Sequence, residues 1–105
     1  MVVVVDLACA ANSIKVFNVA TGRVRYEIST MVKSLAWSPD GRRLAGVREG
    51  FLTIWDASNG QFILALPFSG MATSVCWGRG GKSIIVGGQY RNIRVYKARD
   101  GILSE

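Results

Sequence analysis

The chain has 105 residues, half of them hydrophobic, and a net charge of +6 from 13 Lys and Arg against 7 Asp and Glu, with no His. This composition excludes a disordered chain, and no apolar run reaches the roughly 18 residues that a membrane helix needs. The lack of His removes the commonest general base, the usual Ser-His-Asp and Cys-His nucleophile pairs and imidazole metal ligands.

In chain order, Val2 to Ala10 is a β-branched run that reads as a strand buried on both faces. A secretory leader is a poorer reading, because Met1 to Val5 has no basic flank and Asp6 breaks the apolar run. Asn12-Ser13 turns the chain into Ile14 to Val19, which alternates with period two. Thr21-Gly22 is the next turn, and Val24 to Ile28 alternates with Arg25 and Glu27 as a half-exposed outer strand would.

Val32 to Trp37 is followed by Ser38-Pro39-Asp40-Gly41. In that turn Pro presets φ, Asp caps and Gly takes the left-handed position. Leu44 to Val47 returns, Glu49-Gly50 turns into Leu52 to Trp55, and Ser58-Asn59-Gly60 turns into Phe62 to Leu66. The cycle then restarts. Ser74 to Trp77 matches Ser34 to Trp37 at a spacing of 40, and Gly80-Gly81 stands for Asp40-Gly41. Ile84-Ile85-Val86 stands for Leu44-Ala45-Gly46. Ile93 to Tyr96 matches Leu52 to Trp55 at 41, and Ile14 to Phe17 matches it at 38. Asp100-Gly101 takes the place of Asn59-Gly60. No window shows helical periodicity, so almost no helix is expected.

At these residues the chain resembles the WD-repeat family of β-propellers, whose repeats run about 40–45 residues with four strands per blade. The specific combination is Ser38-Pro39-Asp40-Gly41 followed by Trp55-Asp56 and Gly60, with Trp37, Trp77, Gly81, Tyr96 and Gly101 at matching repeat positions. The resemblance implies an all-β fold of antiparallel four-stranded blades, an incomplete propeller of about 2.5–3 blades. Residues 2–29 would be an incomplete blade, 31–66 a complete one, and 72–105 one truncated at its last strand. Closed propellers use typically four to eight blades. A piece of a longer propeller is therefore expected, with self-association as the alternative way to bury the end faces. Two departures stand out. The His common before the innermost strand is missing, and the Trp-Asp pair survives only once, the other copies reading Phe17-Asn18 and Tyr96-Lys97. Blade rigidity should then rest on apolar packing rather than on an internal polar network.

Candidate chemistry is sparse. Gly78-Arg79-Gly80-Gly81-Lys82-Ser83 ends like a phosphate loop, but position 76 is Cys rather than Gly and a strand pattern follows where a helix is required. A hairpin turn is the better reading. Asp56 reads as a turn cap rather than a catalytic acid. Trp37, Trp55 and Trp77 could serve as base-stacking platforms, but as repeat-matched strand ends they read as core. Cys9 and Cys76 read as buried free thiols, with a disulfide between them left open. No catalytic, metal or cofactor residue is assigned.

In the family's arrangement the turns carrying Arg23, Arg42, Arg43, Arg79, Lys82, Lys97 and Arg99 share one face, making a possible basic binding rim. Solubility alone is the bland account of that rim. The resemblance implies a non-enzymatic, intracellular protein-interaction scaffold whose partners are other proteins, including acidic ones. The alternative is binding of nucleic acid or phosphoinositide through the basic rim, without membrane insertion.

Overall fold

Short β-branched and aromatic runs punctuated by Gly, Asn and Asp turns favour antiparallel strands, and a computed structural model shows nine of them. It describes residues 2–4, 14–18, 20–30, 32–89, 92–99 and 102–104. Among the described residues there is no α-helix, and helical backbone is confined to short 3-10 turns such as Arg79–Gly81. The chain divides into two compact units, Met1–Val32 and Lys33–Glu105.

The first unit is an antiparallel three-stranded sheet in the order β1 (Val2–Val4), β2 (Ile14–Phe17), β3 (Val24–Ile28). Alternation along β2 buries Ile14 and Val16 and leaves Lys15 and Phe17 half-buried. Of the strand expected over Val2 to Ala10, only Val2–Val4 falls within the described residues.

The second unit contains β4 (Ser34–Trp37), β5 (Arg43–Asp56), β6 (Phe62–Trp77), β7 (Ser83–Gly88), β8 (Ile93–Arg99) and β9 (Ile102–Ser104), each paired antiparallel with the next. Fourteen residues of extended strand would span roughly 45 Å. Yet the residues flanking β5 meet, the Ala57 N–H donating to the Arg42 carbonyl at 2.9 Å. β5 is therefore a hairpin folded at Glu49-Gly50, where Gly50 has φ of 82°, a backbone conformation that costs Gly nothing. Its first arm pairs with β4 (Leu35↔Gly46) and its second with β6 (Leu52↔Leu66).

β6 changes partner partway along. Phe62 to Pro67 pairs with β5, whereas Ala72 to Trp77 pairs with β7. The two strands expected here, Phe62 to Leu66 and Thr73 to Trp77, are thus joined into one run. The break between them survives in the register, with Pro67 unable to donate to the ladder and Gly70 at φ of 98°.

Two ladders result, and they pack face to face. Ala45, Val47, Leu52 and Ile54 from β5 form one buried cluster with Phe68, Ala72, Val75, Ile84, Val86 and Tyr96 from the strands that follow. Beside this core, β4 runs next to the end of β6. The Trp77 Nε1–H donates to the Ala36 carbonyl at 3.0 Å, and the Val75 N–H donates to Ser34 Oγ at 3.3 Å. Tyr96, fully buried, donates its hydroxyl hydrogen to the Pro67 carbonyl at 2.8 Å.

Alternation corrects one expectation. Val75 points into this core, so its neighbour Cys76 points away, and the thiol is free and exposed rather than buried. Cys9 lies outside the described residues.

The other face of β5 shows a compensating pair. A methyl group on Gly46 would lie 2.7 Å from Trp55 Cζ3 and 3.0 Å from Leu35 Cδ2. The matching positions in the next repeat are Val86 and Tyr96, a larger residue beside a smaller ring. Gly46→Val should therefore lower stability by about 1–3 kcal/mol through overpacking. Adding Trp55→Tyr should recover part of that loss in urea unfolding. Strictly additive losses would contradict the pairing. Tyr96→Phe should cost about 1 kcal/mol by leaving the Pro67 carbonyl without its donor.

Candidate interaction surface

The turns that close the ladders are built by short polar side chains. Ser38 is buried, and its hydroxyl donates to Asp40 Oδ1 at 2.6 Å while accepting the Arg43 N–H at 3.0 Å. Asp40 Oδ1 also accepts the Arg42 N–H at 3.0 Å, and the Gly41 N–H donates to the Ser38 carbonyl at 2.9 Å. Gly41 sits at φ of 73°, the left-handed position expected of it. Pro39 is exposed and near enough to Gly81 that a methyl group there would touch its Cδ at 3.5 Å.

Asp56, in the Trp-Asp pair, caps the next turn. Its Oδ1 accepts the Ser58 N–H at 2.9 Å and the Ser58 hydroxyl at 2.7 Å, while its carbonyl accepts the Gly60 N–H at 2.7 Å. Asn18, at the same repeat position in the first unit, does the same work. Its Oδ1 accepts the Ala20 N–H at 2.9 Å, and its carbonyl accepts the Gly22 N–H at 2.7 Å. Replacing Asp by Asn keeps the acceptor oxygen and loses only the charge. Trp55 is buried, and Trp37 and Trp77 are half-buried within the second unit.

The Ser38 hydroxyl and the Arg42 amide hold the Asp40 carboxyl below the usual carboxylate range, helped by the charge of Arg42. Ser58, through its hydroxyl and then its amide, does the same for Asp56, with a smaller contribution from Arg43. Both carboxylates are thus committed to their own turns.

Within the second unit these turns share one end. Ala57 hydrogen-bonds Arg42, the turn at Gly81 lies against Pro39, and Ser83 pairs with Lys97. That end gathers Arg42, Arg43, Arg79, Lys82 and Lys97, all exposed except the half-buried Arg43. Arg23 is exposed beside the 18–22 turn of the first unit. Arg99 ends β8, where it pairs with Ile102, and Gly101 lies outside the described residues. At the other end of β5, the Arg48 guanidinium lies 5.6 Å from the centre of the Phe51 ring.

The loop at residues 78–83 is a hairpin. The Gly78 N–H donates to the Ser83 carbonyl at 2.8 Å, and the chain enters β7 with no helix to face a phosphate. Among the described residues no cluster of His, Cys, Asp or Glu could hold a metal, and no helix is long and apolar enough to cross a membrane. Sequence reasoning missed the parts played by Ser38 and Ser58, whose only signal is a hydroxyl two residues from each turn aspartate.

Antiparallel ladders stacked face to face and closed by these capped turns define a WD-repeat β-propeller module. The family model described as the anaphase-promoting complex subunit 4 WD40 domain matches residues 5–71, and the chain belongs to that WD40 family. It is 33% identical over 67 residues to the transcriptional corepressor LEUNIG_HOMOLOG of Arabidopsis thaliana, a match covering 60% of this chain and 8% of that protein. The crystal structure of the RRP9 WD40 repeats superposes with a TM-score of 0.79 at 22% identity, covering 90% of this chain and 32% of that one. Hydrazine synthase of Kuenenia stuttgartiensis superposes with a TM-score of 0.74 at 18% identity, covering 83% and 27%. These two likenesses concern the fold alone. The chain thus spans about a third or less of each of these three proteins.

The lowered carboxyl pKa values of Asp40 and Asp56 carry a sign. A group whose folded pKa is depressed contributes stability above the ordinary carboxylate value, about pH 4, and loses it as pH falls through the lower folded value. The urea midpoint should therefore hold steady above that range and drop below it. In an Asp40→Asn, Asp56→Asn double variant the drop should be shallower. An acid response unchanged by both substitutions would contradict the assignment.

Proposed function

We propose a protein-interaction role for this chain, since WD40 propellers generally serve as protein-interaction scaffolds. We propose that this chain is a non-enzymatic, intracellular scaffold of that kind, with WD blades over residues 2–29, 31–66 and 72–105 as parts of a larger propeller. We further propose that the basic end of its second unit takes acidic segments of partner proteins. One observation carries the choice of surface. Arg42, Arg79, Lys82 and Lys97 are exposed at one end, while the carboxylates among them, Asp40 and Asp56, are tied into turns. Exposed cations in excess on one end attract anionic segments over a Debye length and set the approach rate more than the final affinity. Arg99 is assigned to the same rim by its repeat position. The transcriptional corepressor relative supports an intracellular setting.

The test is binding of an Asp/Glu-rich peptide, followed as salt is raised. Affinity should fall with salt and drop about tenfold in an Arg42→Glu, Arg79→Glu variant. Binding indifferent to both would sink this reading. Tighter, equally salt-sensitive binding of a single-stranded oligonucleotide would instead favour the nucleic-acid alternative.

A further inference from the structure

Two outer strands of this chain hold the same place in the repeat and differ in what guards their edges. Stepping on 38 residues, Val24, Arg25, Tyr26, Glu27 and Ile28 of β3 become Phe62, Ile63, Leu64, Ala65 and Leu66 of β6. The registers agree. Phe17 pairs with Val24 as Trp55 does with Phe62, Lys15 with Glu27 as Thr53 with Ala65, and Ile14 with Ile28 as Leu52 with Leu66. Both ladders carry the same irregularity, beside Phe17 and beside Trp55.

Among the described residues, Phe62 to Leu66 pairs only with β5. Its other edge therefore offers a row of backbone N–H and C=O groups with no ladder partner. Natural edges are blunted by charged side chains, and β3 carries Arg25 and Glu27. The same positions in β6 hold Ile63, 38% exposed, and Ala65, also exposed, while Phe62 at the head of the run is 64% exposed. No charged residue occurs anywhere in β6. Pro67, which cannot donate, limits the open run to Phe62–Leu66. Stacking of a further ladder does not close such an edge. Ladders here cover one another through their faces, and Leu64 and Leu66 already pack against the buried cluster. An edge is closed only by a strand lying alongside it at about 4.8 Å.

Unpaired amides and carbonyls in a row fit an extended backbone as their occupant. Charge decides which chain supplies it. Two copies of this chain, each of net charge +6, repel one another. The run also starts at the basic end of the second unit, where Phe62 pairs with Trp55 and the Ala57 N–H donates to the Arg42 carbonyl. We infer that the Phe62–Leu66 edge takes an extended segment of a partner protein as an added antiparallel strand, apolar at alternate positions and acidic at its C-terminal end. An antiparallel segment reaches the Phe62 end with its C-terminal side, which brings those carboxylates to the end that carries Arg42. The acidic end rests on the basic-end reading proposed above, and the open edge does not.

The probe is a synthetic peptide of alternating Val and Thr followed by a run of Asp, titrated onto the 105-residue chain. At saturation, amide exchange at alternate positions within residues 62–66 should slow about tenfold. N-methylation of alternate peptide amides removes donors and leaves every charge in place, and it should weaken binding about tenfold. An Ile63→Arg, Ala65→Glu variant gives this strand the residues of its counterpart with no change in net charge. It should weaken binding by a similar factor and leave the urea midpoint in place. Should that variant fail to fold, the N-methyl comparison on the unaltered chain still decides. Binding that tolerates N-methylation and depends only on Arg42 and Arg79 would overturn the edge and leave the basic-end reading standing. Equally tight, N-methyl-sensitive binding after the Asp run is replaced by Lys would overturn the acidic end and count against that reading. Self-association without peptide, abolished by the same double variant, would overturn the choice of a partner protein as occupant.

Discussion

Face-to-face burial of β-branched and aromatic side chains between successive ladders is the interaction on which everything else here depends. Ala45, Val47, Leu52 and Ile54 on one side and Val75, Ile84, Val86 and Tyr96 on the other form a single buried cluster. Burying side chains of this size contributes about 1.5–3 kcal/mol each for the larger ones. A lone hairpin or sheet has nothing to bury that face against and is marginal in water. The hydrogen bonds between ladders, from Trp77 to Ala36 and from Val75 to Ser34, fix the alignment of that burial. They are individually modest, as exchanged hydrogen bonds usually are.

The turns do a second job that follows from the first. Strands that must present alternate residues to two different faces tolerate no slip in register. Ser38 accepts the Arg43 amide, Asp40 the Arg42 amide, Asp56 the Ser58 amide and Asn18 the Ala20 amide, each at its turn. Asp40 and Asp56 are engaged in their own turns, beside the exposed Arg42, Arg79, Lys82 and Lys97. A structural demand on the turns and an electrostatic character thus meet at one end of the second unit.

Much of this was legible in the sequence, for identifiable reasons. Period-two alternation and the Gly and Asp turn signals report directly on backbone conformation, so the strands and the turn at Ser38–Gly41 could be read residue by residue. The spacing of about 40 residues carried the resemblance to a WD-repeat protein. What could not be read were features set by neighbours distant in sequence. The run Ser74 to Trp77 is apolar enough to suggest a buried thiol, yet which parity faces the core is decided by the ladder packed against it, and Cys76 lost. Gly46 gave no sign of its role, because the space it leaves is filled by Trp55 from the other arm of the hairpin. Ile85 and Ala45 occupy equivalent repeat positions, and only the structure shows one bare and the other covered.

The central claim is that the two ladders of the second unit are one cooperative structure held by their shared face. Amide hydrogen exchange resolved along the chain tests it most directly. The account predicts that the second arm of β5 and strands β7 and β8 are protected to a similar degree and lose protection together as denaturant is added. Free exchange of β7 and β8 while β4 and β5 remain protected would contradict it, showing that the ladders fold without needing each other.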